Sequence, residues 1–175
     1  MKVQIIDYSP TWLEMFERKK QSLETVLGDF GIVEHIGSTS VVGLAAKPII
    51  DIMVGLRDFS LAGDLVPAVQ ELDYRYVPEY ENVMPDRRYF KKVVAGTSTH
   101  HIHKVEIGGE FWKRHLLFRN FLRANSAAAD EYAVLKRNLA AVDWQDKNDY
   151  TEAKTVFIKK IEVKAREQKA VSGTT

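Results

Sequence analysis

Trp12, Phe16, Leu23 and Leu27 stand at spacings of 4, 7 and 4, one face of a helix with a 3.6-residue period. Ser9-Pro10 ahead of them predicts the start of that helix, with the serine hydroxyl as N-cap and the proline at the first helical position. Lys2 to Asp7 precedes it as a short extended run, and Gly28 and Gly31 follow it as punctuation. The rhythm then becomes strand-like from Ile32 to Gly37 and strongly so from Ile49 to Leu56. There Ile50, Ile52 and Val54 form a core face, with Ile49, Asp51 and Met53 on the other. Between these strands lies STSVVGLAAKP, whose small residues suit a turn that a ligand can approach.

Further on, Ser60 to Leu72 reads as a helix, Tyr74 to Val77 as a short strand and Tyr80 to Asp86 as a polar loop. Arg88 to Val94 and Thr99 to Ile107 read as a hairpin turning at Gly96-Thr97-Ser98. Beyond Gly108-Gly109 only helices are expected: Glu110 to Ala124, Ser126 to about Val142, with Tyr132, Leu135, Leu139 and Val142 as its apolar stripe, and Tyr150 to about Lys169. Asp149 and Glu152 have the spacing of a capping box for the last helix. The pattern is α+β: a mixed sheet of four or five strands flanked by helices, with a C-terminal helical bundle. Residues 1–170 form one domain in this reading, and 171–175 a disordered tail.

Composition narrows the function. The 175 residues are 45% hydrophobic and 28% charged, as in a folded globular protein. With 25 basic and 24 acidic residues the net charge is +1, so any polyanion site must be local, and nucleic-acid binding has little support. The absence of cysteine removes thiolate metal sites and cysteine nucleophiles and leaves His, Asp and Glu as metal ligands. No apolar leader or run long enough to span a membrane is present, so a cytoplasmic protein is expected.

Candidate chemistry gathers at Gly37-Ser38 and Asp51. A glycine ending a strand lets backbone approach a phosphate, the hydroxyl adds a donor, and a carboxylate on the next strand can hold a divalent metal bridging phosphate oxygens. Asp51 stands inside IIDIMV, where an ionised carboxylate is costly unless it meets a cation or a cleft; a salt bridge to Lys47 or an arginine is the structural alternative. The stretch HIGSTSVVGLAAKPIIDIMV, with HIH at 101–103, FRNFLRAN at 118–125, EYAVLKRNLA at 131–140 and YTEAKTVFI at 150–158, resembles the GrpB family. The members of that family look like single-domain relatives of polymerase-beta-type nucleotidyltransferases. That resemblance implies a nucleotidyltransferase-like fold, Gly37 and Ser38 as a phosphate turn and Asp51 as the first metal-binding carboxylate. Met53 stands where active nucleotidyltransferases carry a second acidic residue, and a thioether is a poor ligand for Mg²⁺ or Mn²⁺.

His101 and His103, two apart on a strand, project from one face and with Asp51 form a candidate two-histidine, one-carboxylate site for Mg, Mn or Zn; half-buried, hydrogen-bonded strand histidines are the structural alternative. His100 and Glu106 face the other way. Lys47 and Arg119, inside the family-like blocks, are the candidate phosphate ligands; Arg87, Arg88, Arg123 and Lys154 are further cations whose default is the solvated surface. His35, leading into the turn, is expected to hydrogen-bond and fix it. Three functions stay open: transfer of a nucleotidyl group to an unknown acceptor with a divalent metal, a degenerate module that only binds a nucleotide or other phosphate-bearing small molecule, and metal-assisted phosphoester hydrolysis.

Overall fold

The computed structural model describes residues 3–144 and 147–172. Helix α1 (Thr11–Leu27) leads through a 3-10 turn to β1 (Gly31–Ile36), and the small-residue segment leads to β2 (Ile50–Leu56). After α2 (Val66–Gln70) come β3 (Arg75–Tyr76), β4 (Arg87–Val94) and β5 (Thr97–Glu106), then α3 (Glu110–Ala124), α4 (Ser126–Ala140), α5 (Lys147–Glu152) and α6 (Thr155–Ser172). The strands form one mixed sheet in the order β1-β2-β5-β4-β3, with β2 and β5 parallel and the other neighbours antiparallel. The α+β architecture is the one expected.

Strand alternation divides the sheet into two chemically different faces. On one, Val33, Ile50, Ile52, Val54, Phe90 and Ile102 pack against Trp12, Phe16, Leu23 and Leu27 of α1 as the main core. On the other, Ile36, Met53 and Val105 pack against Phe111, Trp112 and Leu116 of α3. Trp112 lies so close over Gly55 that a Cβ there would collide with its ring, so glycine is what allows α3 to sit down on β2. A third cluster, Val41, Leu44, Leu122, Ala129, Tyr132 and Ile161, ties the segment after β1 to α3, α4 and α6.

Several local expectations are revised. Ser9 does not cap α1 through its hydroxyl, which instead meets the Thr11 hydroxyl at 2.7 Å. The helix expected over 60–72 breaks into a 3-10 turn at Phe59–Ala62, capped by Asp58, and the short α2, because Pro67 removes a backbone donor in mid-segment. The hairpin turns earlier than expected, at Ala95 and Gly96, both at positive φ. The last helix is two, interrupted after Glu152, and Asp149 sits inside α5 rather than capping it. Val171 and Ser172 continue α6; residues 173–175 of the expected tail lie outside the described residues.

Candidate functional site

Helix α3 covers only part of its face of the sheet. Met53 is fully buried beneath it, whereas the Asp51 side chain, two residues earlier on the same face, stays 30% exposed at the mouth of a cleft of about 550 Å³. The cleft is lined by Ser38, Thr39, Lys47 and Asp51, by Tyr80, Arg87 and Tyr89, by His101 and His103, and by Lys136, Tyr150 and Lys154.

The turn above Asp51 is built by Gly37, whose φ of 71° and ψ of −176° suit glycine alone. A Cβ at this position would stand 2.6 Å from Oδ2 of Asp51. Glycine is thus required because backbone and carboxylate touch, a closer constraint than the phosphate approach inferred from sequence. His35 fixes the turn from below. Its Nε2 is 3.1 Å from the Thr39 hydroxyl, which donates to the Ile49 carbonyl, and its ring stacks on Phe16 at 4.5 Å. Burial lowers the His35 pKa to about 4, so it acts as a neutral hydrogen-bond donor.

The β2/β5 register sets Asp51 opposite His101 and Met53 opposite His103. His101 Nδ1 lies 3.2 Å and His103 Nε2 3.8 Å from the same Asp51 oxygen, Oδ1. Burial works to raise the Asp51 pKa, but the hydrogen bonds from His101 and His103 outweigh it and hold the carboxylate well below its usual range. Arg87 donates to Nδ1 of His103 at 3.3 Å, which places the ring proton on Nε2, facing Asp51. Burial, with Arg87 assisting, lowers the His103 pKa against the pull of Asp51.

A metal-bound histidine normally gives its second ring N–H to an acceptor. His101 fits, because Ser98 Oγ lies 3.0 Å from its Nε2. His103 does not, because Arg87 can only donate. Among the described residues no group of three His, Asp or Glu is arranged to hold a metal ion. The expected three-ligand set is therefore together in space but arranged for hydrogen bonding, and Asp51 with His101 is the pair suited to a cation.

Lys136 was not singled out from the sequence. It is 3% exposed and donates to Ser38 Oγ at 2.9 Å and to the Ala45 carbonyl, with its ammonium 4.5 Å from the Tyr132 ring centre. The available signal was its place four residues after Tyr132, on the buried face of α4. Burial, aided by Lys154 and Arg137, lowers its pKa to about 7. Lys47 and Lys154 approach the Tyr150 ring at 4.1 and 4.6 Å, and burial with the Lys47 charge lowers Lys154 to about 8. Lys47 is thus part of the cleft lining.

Arg119 is not. Its guanidinium donates to Glu34 Oε2 at 2.6 Å, the His35 carbonyl at 2.9 Å and Asn120 Oδ1 at 3.0 Å, clamping α3 to β1 away from the cleft. Arg123 is likewise spent on the Ser40 carbonyl, and Arg88 on the Pro85 carbonyl.

Residues 2–164 match the family described as GrpB protein. The chain is 41% identical over 174 residues to the UPF0157 protein YqkA of Bacillus subtilis, covering 96% of this chain and 48% of that protein, about half its length. It is 33% identical over 167 residues to the glutamate-rich protein GrpB of Alkalihalophilus pseudofirmus, covering 91% and 94% of the two. The crystal structure of the conserved protein GrpB from Enterococcus faecalis superimposes with a TM-score of 0.84 at 38% identity, covering 94% of this chain and 98% of that one.

Proposed function

The chain belongs to the GrpB family, and from that premise we propose that its cleft binds a phosphate-bearing small molecule together with a divalent metal. The observation that carries this reading is the charge of the lining. Lys47, Lys136, Lys154 and Arg87 surround Asp51, the one carboxylate among the described lining residues. Burial first and the neighbouring cations second make Lys136 and Lys154 costly to ionise, as their lowered pKa values express, and a polyanion bound beside them offsets that cost.

Each part has a task. The Ser38 hydroxyl and the three lysines bind phosphate oxygens, and Arg87 adds a planar donor pair at the far wall. Asp51 and His101 would hold the cation, which when bound polarises a phosphoryl oxygen; Mn²⁺ or Zn²⁺ suits the imidazole better than Mg²⁺. Nucleotidyl transfer to an acceptor is the reaction that the family resemblance suggests. Met53, packed into the core beneath α3, leaves that reaction with one strand carboxylate, which favours a single-metal site or binding alone.

Calorimetric titration of the chelator-stripped protein with inorganic tripolyphosphate and with nucleoside triphosphates, with and without Mn²⁺, Mg²⁺ or Zn²⁺, tests the reading. Metal-dependent binding is expected, lost in Asp51→Asn and weakened roughly 10-fold or more in Lys136→Met. Absence of binding to every phosphate ligand under every metal would overturn it. Enzyme-proportional pyrophosphate release in the same samples would establish transfer.

A further inference from the structure

The cleft has two chemically different ends. Ser38, Lys47, Lys136 and Lys154 gather on the side of the turn after β1, while across β5 and β4 the wall is made of rings. Tyr80 ends the 3-10 turn Pro78–Tyr80, lines the cleft and leaves 47% of its surface exposed. Its ring meets Tyr89 edge-on at 5.5 Å, and Tyr89 in turn contacts the rings of His101 and His103 at 5.5 and 5.3 Å, beside Asp51. Strands lie about 4.8 Å apart, so Tyr89 on β4 and Asp51 on β2, two strands away, are separated by roughly 10 Å. A ligand with its charge over Asp51 and Ser38 therefore reaches Tyr80 only if it carries a further group.

Building on the phosphate-binding reading above, we propose that Tyr80, backed by Tyr89, is a stacking platform for a nucleobase, so that the ligand is a nucleotide rather than a phosphate ester at large. Three features suit the ring to that role. It offers a half-exposed ring at low conformational cost, because the edge contact with Tyr89 holds it and Pro78 fixes the turn that carries it. The Arg87 guanidinium lies 5.8 Å from the Tyr80 ring centre and 5.2 Å from that of Tyr89, a cation set to bridge base and phosphate. The neighbouring Val83 and Met84 are 80% and 36% exposed, an apolar flank of the kind a base can cover. Stacking accepts every base because each presents a π face, so the site discriminates little among bases.

The test compares ATP, CTP and inorganic tripolyphosphate, with Mn²⁺, on wild-type protein, Tyr80→Ala and Tyr80→Phe. Wild type should bind both nucleotides more tightly than tripolyphosphate, with ATP and CTP alike within a few fold. Tyr80→Ala should weaken nucleotide binding by about 10-fold while leaving tripolyphosphate unchanged, and Tyr80→Phe should restore the nucleotide. Because the ring is half exposed, Tyr80→Ala is expected to keep the wild-type melting temperature within a few degrees, which circular dichroism checks. Equal affinity of wild type for tripolyphosphate and nucleotides, or an alanine variant that binds nucleotide like wild type, overturns the platform while leaving phosphate binding intact. Equal loss of both ligands in Tyr80→Ala also overturns it, since the ring would then be shaping the charged end. Failure of wild type to bind any of the three removes both readings.

Discussion

Gly37 is where the turn and the carboxylate meet, and it fixes how Asp51 is presented. Its backbone occupies a region open essentially to glycine, and the space a methyl would take is filled by Asp51 Oδ2. Gly37→Ala should therefore cost about 1–3 kcal/mol from backbone strain alone, with a further loss from displacing the carboxylate. Urea denaturation measures the first, and phosphate-ligand titration the second. A variant as stable as wild type would show that the turn relaxes freely and that the contact with Asp51 matters little. In sequence Gly37-Ser38 is a dipeptide like many others, and neither the glycine's positive φ nor its contact with a carboxylate fourteen residues away is written in the local residues. Asp51 was more legible, because a charge inside IIDIMV demands an explanation wherever the strand lies. Lys136 was less so, since an amphipathic helix carries lysines by default and only the spacing of four from Tyr132 marks this one as facing inward.

Elements decide which charges reach the cleft. Helix α3 carries Arg119 and Arg123 at i, i+4, a spacing that suits a phosphate clamp, yet the helix is seated by Trp112 on Gly55 so that both point to β1 and its turn. Arg119 is 9% exposed and joins the Glu34 carboxylate to the His35 carbonyl. Arg119→Ala leaves that carbonyl and a partly exposed carboxylate without their partner, a loss of about 2–3 kcal/mol in stability. Affinity for the phosphate ligand, measured at a temperature where the variant is folded, should stay within about threefold of wild type. A variant of normal stability with abolished affinity would return Arg119 to the role its sequence block implies. The same element-level effect explains what the sequence pattern could not resolve. Period-two alternation puts His101 and His103 on one face of their strand, and the β2/β5 register then sets Asp51 opposite His101. The split between α5 and α6 has no glycine or proline to announce it.

At the scale of the whole molecule, the cleft is assembled from the turn after β1, three strands, α4 and the end of α5, and its charge state belongs to all of them. Lys136 faces Ser38, Tyr132 and the Ala45 carbonyl, with Arg137 on its own helix; Lys154 faces Lys47, Tyr150 and, more distantly, Asp51. Burial raises the pKa of both tyrosines, to about 12 for Tyr150, so neither supplies a negative charge near neutrality. In the free protein Lys136 and Lys154 therefore lose protons near pH 7 and pH 8, well before an ordinary lysine at 10.5. A bound polyphosphate stabilises their charged forms and raises both pKa values, so binding above pH 8 must take up protons, and affinity must fall as pH rises through that range. Below about pH 6 both lysines are already charged and contribute no uptake. Calorimetry with tripolyphosphate at pH 8.5 in two buffers of different ionisation enthalpy, corrected for the proton that the ligand's own last ionisation releases, should show net proton uptake by the protein. Lys136→Met should take up fewer protons and lose part of the decline in affinity with pH. Zero uptake, or uptake undiminished in Lys136→Met, would mean that this lysine keeps its ordinary pKa beneath the turn or lies too far from the bound phosphate to respond.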